Sequence, residues 1–97
     1  MGQRFLHRRL SQASSRVAEL REELRVVEDQ LSHFNDEAND LSLRAMVSET
    51  PGASYEYREA KKHADAMNRH RDAIVQELVD LDRRINEYLD RMKDARL

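Results

Sequence analysis

Apolar or small side chains recur in alternating steps of four and three along the first half of the chain. Leu10, Val17, Leu24, Leu31, Ala38 and Ala45 take heptad position a; Leu6, Ala13, Leu20, Val27, Phe34 and Leu41 take position d. A second series follows, with Tyr57, Ala64, Arg71, Leu78, Ile85 and Met92 at a and Ala60, Met67, Ile74, Leu81, Tyr88 and Ala95 at d. Only Arg71 in the two series is charged. A strict 3.5-residue period held this long specifies a coiled coil rather than a surface helix. It also decides how a composition of 37% charged and 5% aromatic residues is read, because a disordered charged chain holds no such register.

The two series are separated by Thr50-Pro51-Gly52-Ala53-Ser54, which holds the only Pro and the only internal Gly. Pro51 lacks the N–H that would continue a helix and biases Thr50 away from helical backbone. Thr50, with Pro51 in the first helical position, or Ser54 caps the second helix. The expected fold is all-α. One domain covers 1–97, with helix 1 over about 4–48, a turn over about 49–54 and helix 2 over about 55–95. Each helix of about 45 residues spans roughly 65–70 Å. Folding back antiparallel sets each a residue against a d residue of the other helix. A turn centred between Gly52 and Ala53 pairs Ala45 with Ala60, Ala38 with Met67, Phe34 with Arg71, Ala13 with Met92 and Leu10 with Ala95. Among the flanking charges, that register sets Arg21 near Asp82 and Arg16 against Arg91.

Two helices alone leave one side of every seam residue near solvent. Helix 2 carries a second stripe, Val75, Val79 and Leu89, at e and b positions, and Leu43, Met46, Val47 and Tyr55 lie off the seam around the turn. Such patches are most often covered by another subunit or a partner. The expectation is a homodimer, two hairpins forming a four-helix bundle, with docking of another protein as the competing use.

Chemistry is sparse. No cysteine is present, which excludes disulfides, thiolate metal sites and cysteine nucleophiles. His63 and His70 stand two helical turns apart, too far to share a metal on one helix, although Glu59 and Glu37 lie within reach of one or the other. Arg71 opposite Phe34 suggests a register-fixing cation stacked on a ring, with Asn35 and Asn68 adding polar contacts beside it. No phosphate loop, nucleophile elbow or catalytic triad is found, so no enzyme, cofactor, metal or small-molecule substrate is expected. The apolar runs are too short for a membrane span or a signal peptide, and the expected location is the cytoplasm. The excess of Arg over Lys points to a GC-rich bacterial genome.

Charge is distributed unevenly. Residues 1–25 with 80–97 hold eleven basic and eight acidic side chains, and residues 26–79 hold six basic and eleven acidic. Arg4, His7, Arg8 and Arg9 make a basic open end, while Glu49, Glu56 and Glu59 sit with Asp36, Glu37 and Asp40 toward the turn. A basic end suits an anionic partner, which includes nucleic acid or an anionic membrane, and an acidic tip suits a basic partner. The first reading of function is therefore a non-enzymatic coiled-coil adaptor or scaffold that self-associates. The alternative is an acidic-tipped regulator docking on a large nucleic-acid machine such as RNA polymerase or the ribosome.

The run Glu56-Tyr57-Arg58-Glu59-Ala60-Lys61 is similar to the Glu-Tyr-x-x-Ala-Lys stretch after the tip of Gre-type transcript-cleavage factors. That resemblance implies a hairpin tip that inserts into RNA polymerase. Thr50 and Ala53 stand where that family has its metal-chelating acids, so it carries shape and not cleavage. Length and shape also resemble WxG-type secretion substrates, but this turn reads Thr-Pro-Gly-Ala and the chain has no Trp.

Overall fold

The computed structural model describes residues 2–95 and side chains as far as Asp94. Two helices account for nearly all of it: α1, Gln3–Ser48, and α2, Pro51–Ala95. The expected Leu10–Ala95 pair falls on a side chain outside those described.

The break between the helices is shorter than the punctuation suggested, because it takes only Glu49 and Thr50. Glu49 adopts φ 52°, the left-handed conformation that closes a helix, and its N–H donates to the Ala45 carbonyl at 3.2 Å. Thr50 then caps α2. Its Oγ1 accepts from the Ala53 N–H at 3.2 Å, and its carbonyl accepts the first helical bond from Ser54 N–H at 3.2 Å. Pro51 occupies the first helical position, where its missing N–H costs nothing. Gly52 and Ser54 thus belong to the first turn of α2, which opens four residues before position 55. Two substitutions at this break should act with opposite signs. Thr50→Ala removes the cap and should cost about 1 kcal/mol. Glu49→Gly relieves left-handed backbone and should gain about 1 kcal/mol. Urea denaturation followed by circular dichroism reads both.

The chain divides into two compact units. One takes the described residues up to Leu24 with those from Ala73 onward; the other is Arg25–Asp72. In the Arg25–Asp72 unit the helices form an antiparallel αα-hairpin about the two-residue turn. Its centre is a cluster of Ala38, Ala60 and Ala64 with Phe34 and Leu41 packed against it. Ala38 therefore meets Ala60 rather than Met67, one heptad nearer the turn than the sequence pairing placed it. Three small residues together let the two backbones approach closely. Phe34 correspondingly does not carry Arg71. Its ring stacks on that of His63, centroids 6.2 Å apart and planes 18° from parallel. Arg71, half-buried, turns instead to its chain neighbour, with Nη2 2.9 Å and Nε 3.2 Å from Asp72 Oδ1. Asn68 likewise bonds within its own helix, Nδ2 donating to the Ala64 carbonyl at 2.9 Å.

The other unit shows the same displacement. Gln3 Nε2, not Ala13, reaches the Met92 level, donating to its carbonyl at 3.4 Å. Arg16 meets Glu77, with Nη2 3.0 Å from Oε2, rather than opposing Arg91. Arg21 and Asp82 form no ion pair with each other. Leu6, Ala13, Leu20, Ile74, Leu81 and Met92 are buried here, with Leu20 only 2% exposed. Every buried hydrophobic side chain among the described residues of the chain belongs to one of the two heptad series.

Candidate interaction surfaces

The two sides of the seam differ in the unit built from residues up to Leu24 and from Ala73. On the g side, Arg16 bridges α1 and α2 through Glu77 and also bonds Glu19 along its own helix at 3.2 Å. These carboxylates hold the Arg16 guanidinium above its usual range. The hydrogen bond to Glu19 contributes most; desolvation opposes it, and the charge of Glu77 reinforces it. A raised folded-state value adds stability that persists at neutral pH and is lost only as pH climbs through it.

The e side is apolar. In this unit the d residues Leu6, Ala13, Leu20, Ile74 and Leu81 are buried and Tyr88 is half-buried, whereas of the a residues Met92 is buried and Leu10, Val17, Leu24, Leu78 and Ile85 are only half-buried. The helices are rolled so that the a rows open toward e. There Val17, Leu24, Val75, Leu78, Val79 and Ile85 line a groove of about 450 Å³ between α1 and α2. Two charged residues join the lining, Arg21 from α1 and Asp82 from α2, and both are exposed. Val75 and Val79 remain 42% and 48% exposed. Leu89 is also exposed but does not line the groove.

In the Arg25–Asp72 unit the turn carries the most exposed large apolar side chains of the described residues. Val47 is 85% exposed and Met46 71%, with Leu43 and Tyr55 nearby in sequence and also exposed. Glu49 in its left-handed conformation and Glu56 are also exposed. Glu59 is half-buried and paired with Lys62 at 3.1 Å. Tyr55, Glu56 and Glu59 come together in a hollow of about 430 Å³ that also includes Glu37, Leu41 and Arg44. Leu43, Met46 and Val47 do not line it. The turn thus combines apolar knobs with carboxylates, a mixture suited to a basic, partly apolar partner.

At the N-terminus Arg4, His7 and Arg8 are exposed, while Arg9 lies over the Phe5 ring at 5.2 Å, a cation–π contact one helical turn long. Among the described residues no three His or acidic side chains converge as a metal would need. No described helix is long and apolar enough to cross a membrane.

Sequence reasoning missed three features here. Val26, 40% exposed, sits at a c position facing away from the seam, and its signal was the apolar pair Val26-Val27. The opening of the a rows and the role of Arg21 and Asp82 as groove residues were also missed. Their signal was the e and b stripe of α2, because an apolar e row makes the neighbouring a row part of the same face. No family model, curated protein or solved structure matches this chain.

Proposed function

We propose that this chain is a non-enzymatic coiled-coil adaptor or scaffold, working through protein–protein contact and self-association. The observation that carries this reading is the apolar groove on the e side, lined by two exposed and four half-buried aliphatic side chains together with two charged ones. Self-association would convert two helices into a four-helix arrangement and complete the cover that the half-buried a residues lack. The grooves of the described residues are open troughs, which suit a docking side chain or helix better than a reaction needing exclusion of water. In the light-scattering mass of the purified full-length chain, a dimer supports the reading and a monomer at every concentration removes self-association from it.

A second reading is favoured by the exposure of Met46 and Val47 at the end of α1 and of Glu49 and Glu56 at the turn and the start of α2. Here the turn is the working surface and docks on a large nucleic-acid machine such as RNA polymerase or the ribosome. The two readings separate in a pull-down from the native cell with Glu49→Lys/Glu56→Lys/Glu59→Lys against the wild-type chain. A tip-docking regulator should lose its polymerase or ribosomal partner, whereas a scaffold working from the groove should lose nothing.

A further inference from the structure

The geometry points to a second copy of this chain as the occupant of the e-side groove, joined in a two-fold contact in which Arg21 of each copy meets Asp82 of the other. This inference rests on the self-association proposed above and specifies its surface.

Two observations converge on a second copy rather than an unrelated partner. The groove is lined by one base and one acid, Arg21 on α1 and Asp82 on α2. Neither is in an ion pair with another described residue. A face that carries one charge of each sign on opposite helices is complementary to itself under a two-fold axis laying α1 of one copy over α2 of the next. A groove built for a basic or an acidic partner would carry one sign.

The second observation is the contrast between the two sides of the same unit. The g side carries the Arg16–Glu77 bridge and a smaller hollow of about 170 Å³ rimmed by Arg9, Gln12, Arg16 and Arg84, so the larger and more apolar opening is on the e side. There Val17, Leu24, Leu78 and Ile85 already have one face against the opposite helix and need only one more layer. That is the arrangement of a four-helix bundle, in which each hairpin supplies half the core.

Sedimentation equilibrium of the full chain tests this with four variants: Arg21→Glu, Asp82→Arg, the two together, and Val79→Glu. Each single charge reversal sets like charges across the two-fold contact and should weaken association by about tenfold or more. The double reversal restores opposite charges and should return to within about threefold of wild type. Val79→Glu adds a charge to the groove at a position that is exposed in the single chain; it should be monomeric with an unchanged helical spectrum. A wild-type dimer indifferent to all four changes would overturn the inference while leaving self-association intact. A double reversal as weak as the singles would overturn the two-fold charge pairing. A wild-type chain that stays monomeric would overturn both this inference and the self-association it rests on.

Discussion

Leu20→Ala is expected to lower the stability of this chain by about 2–4 kcal/mol, the largest effect of any single truncation in the seam. Leu20 is the one large side chain among the described residues that is essentially closed to water, 2% exposed, in the d row of α1. A two-helix layer collapses more easily around a deletion than a deep core, which sets the cost toward the lower part of that range. Leu24→Ala provides the contrast. Leu24 is equally apolar but lies at an a position, half-buried at the edge of the groove. In the isolated chain its truncation should cost about 1 kcal/mol, because only part of the side chain leaves water on folding. If a second copy covers the groove, that cost should grow with protein concentration while the cost at Leu20 stays nearly constant. Urea melts of both variants at two concentrations separate the cases. Equal costs for the two leucines at low concentration would contradict the roll that opens the a rows.

The second large effect is expected from overfilling rather than emptying. Ala64→Leu in the Arg25–Asp72 unit should destabilise by about 1–3 kcal/mol. Ala64 is 4% exposed and clusters with Ala38 and Ala60, so a branched side chain has to force α1 and α2 apart. Ala53→Leu adds the same atoms near the turn at a half-buried position and should cost much less. Thermal melts of the two variants check this. An Ala64→Leu protein as stable as wild type would mean that the three alanines do not meet.

The heptads made the helical architecture and the seam legible from sequence, because a burial pattern with period 3.5 has one geometric reading. The pairing register was not legible in the same way. Sliding one helix past the other by seven residues returns every a residue to a d residue, so Ala38–Met67 and Ala38–Ala60 satisfy the pattern equally. Only the length of the turn distinguishes them. The turn was misplaced because Gly52 and Pro51 attract attention as breakers, yet Pro51 opens α2 and Gly52 continues it. The residue that takes the left-handed conformation is Glu49, a type that rarely does so. A β-turn rich in Gly announces itself; a helix stopped by Glu and restarted by a Thr cap does not.

The candidate surfaces divide along similar lines. Val75, Val79 and Leu89 were visible as apolar residues off the seam, since helical spacing alone assigns their heptad positions. Which of them share a groove depends on how far the helices roll about the seam, and that follows from side-chain volumes in every layer. Val75 and Val79 line the groove and Leu89 does not. Arg71 illustrates the same point from the polar side. A lone cation in the seam was read as stacked on Phe34, but its long side chain satisfies itself on Asp72 at the cost of no buried partner. Long flexible side chains choose partners by reach, not by heptad letter.

The most direct test of the central claim is the absolute mass of the full chain in solution, by light scattering from about 1 to about 100 μM, a range that spans ordinary dimer affinities. Self-association through the open groove predicts a mass that rises with concentration to twice 11.4 kDa. A mass that stays at 11.4 kDa across the whole range would contradict it.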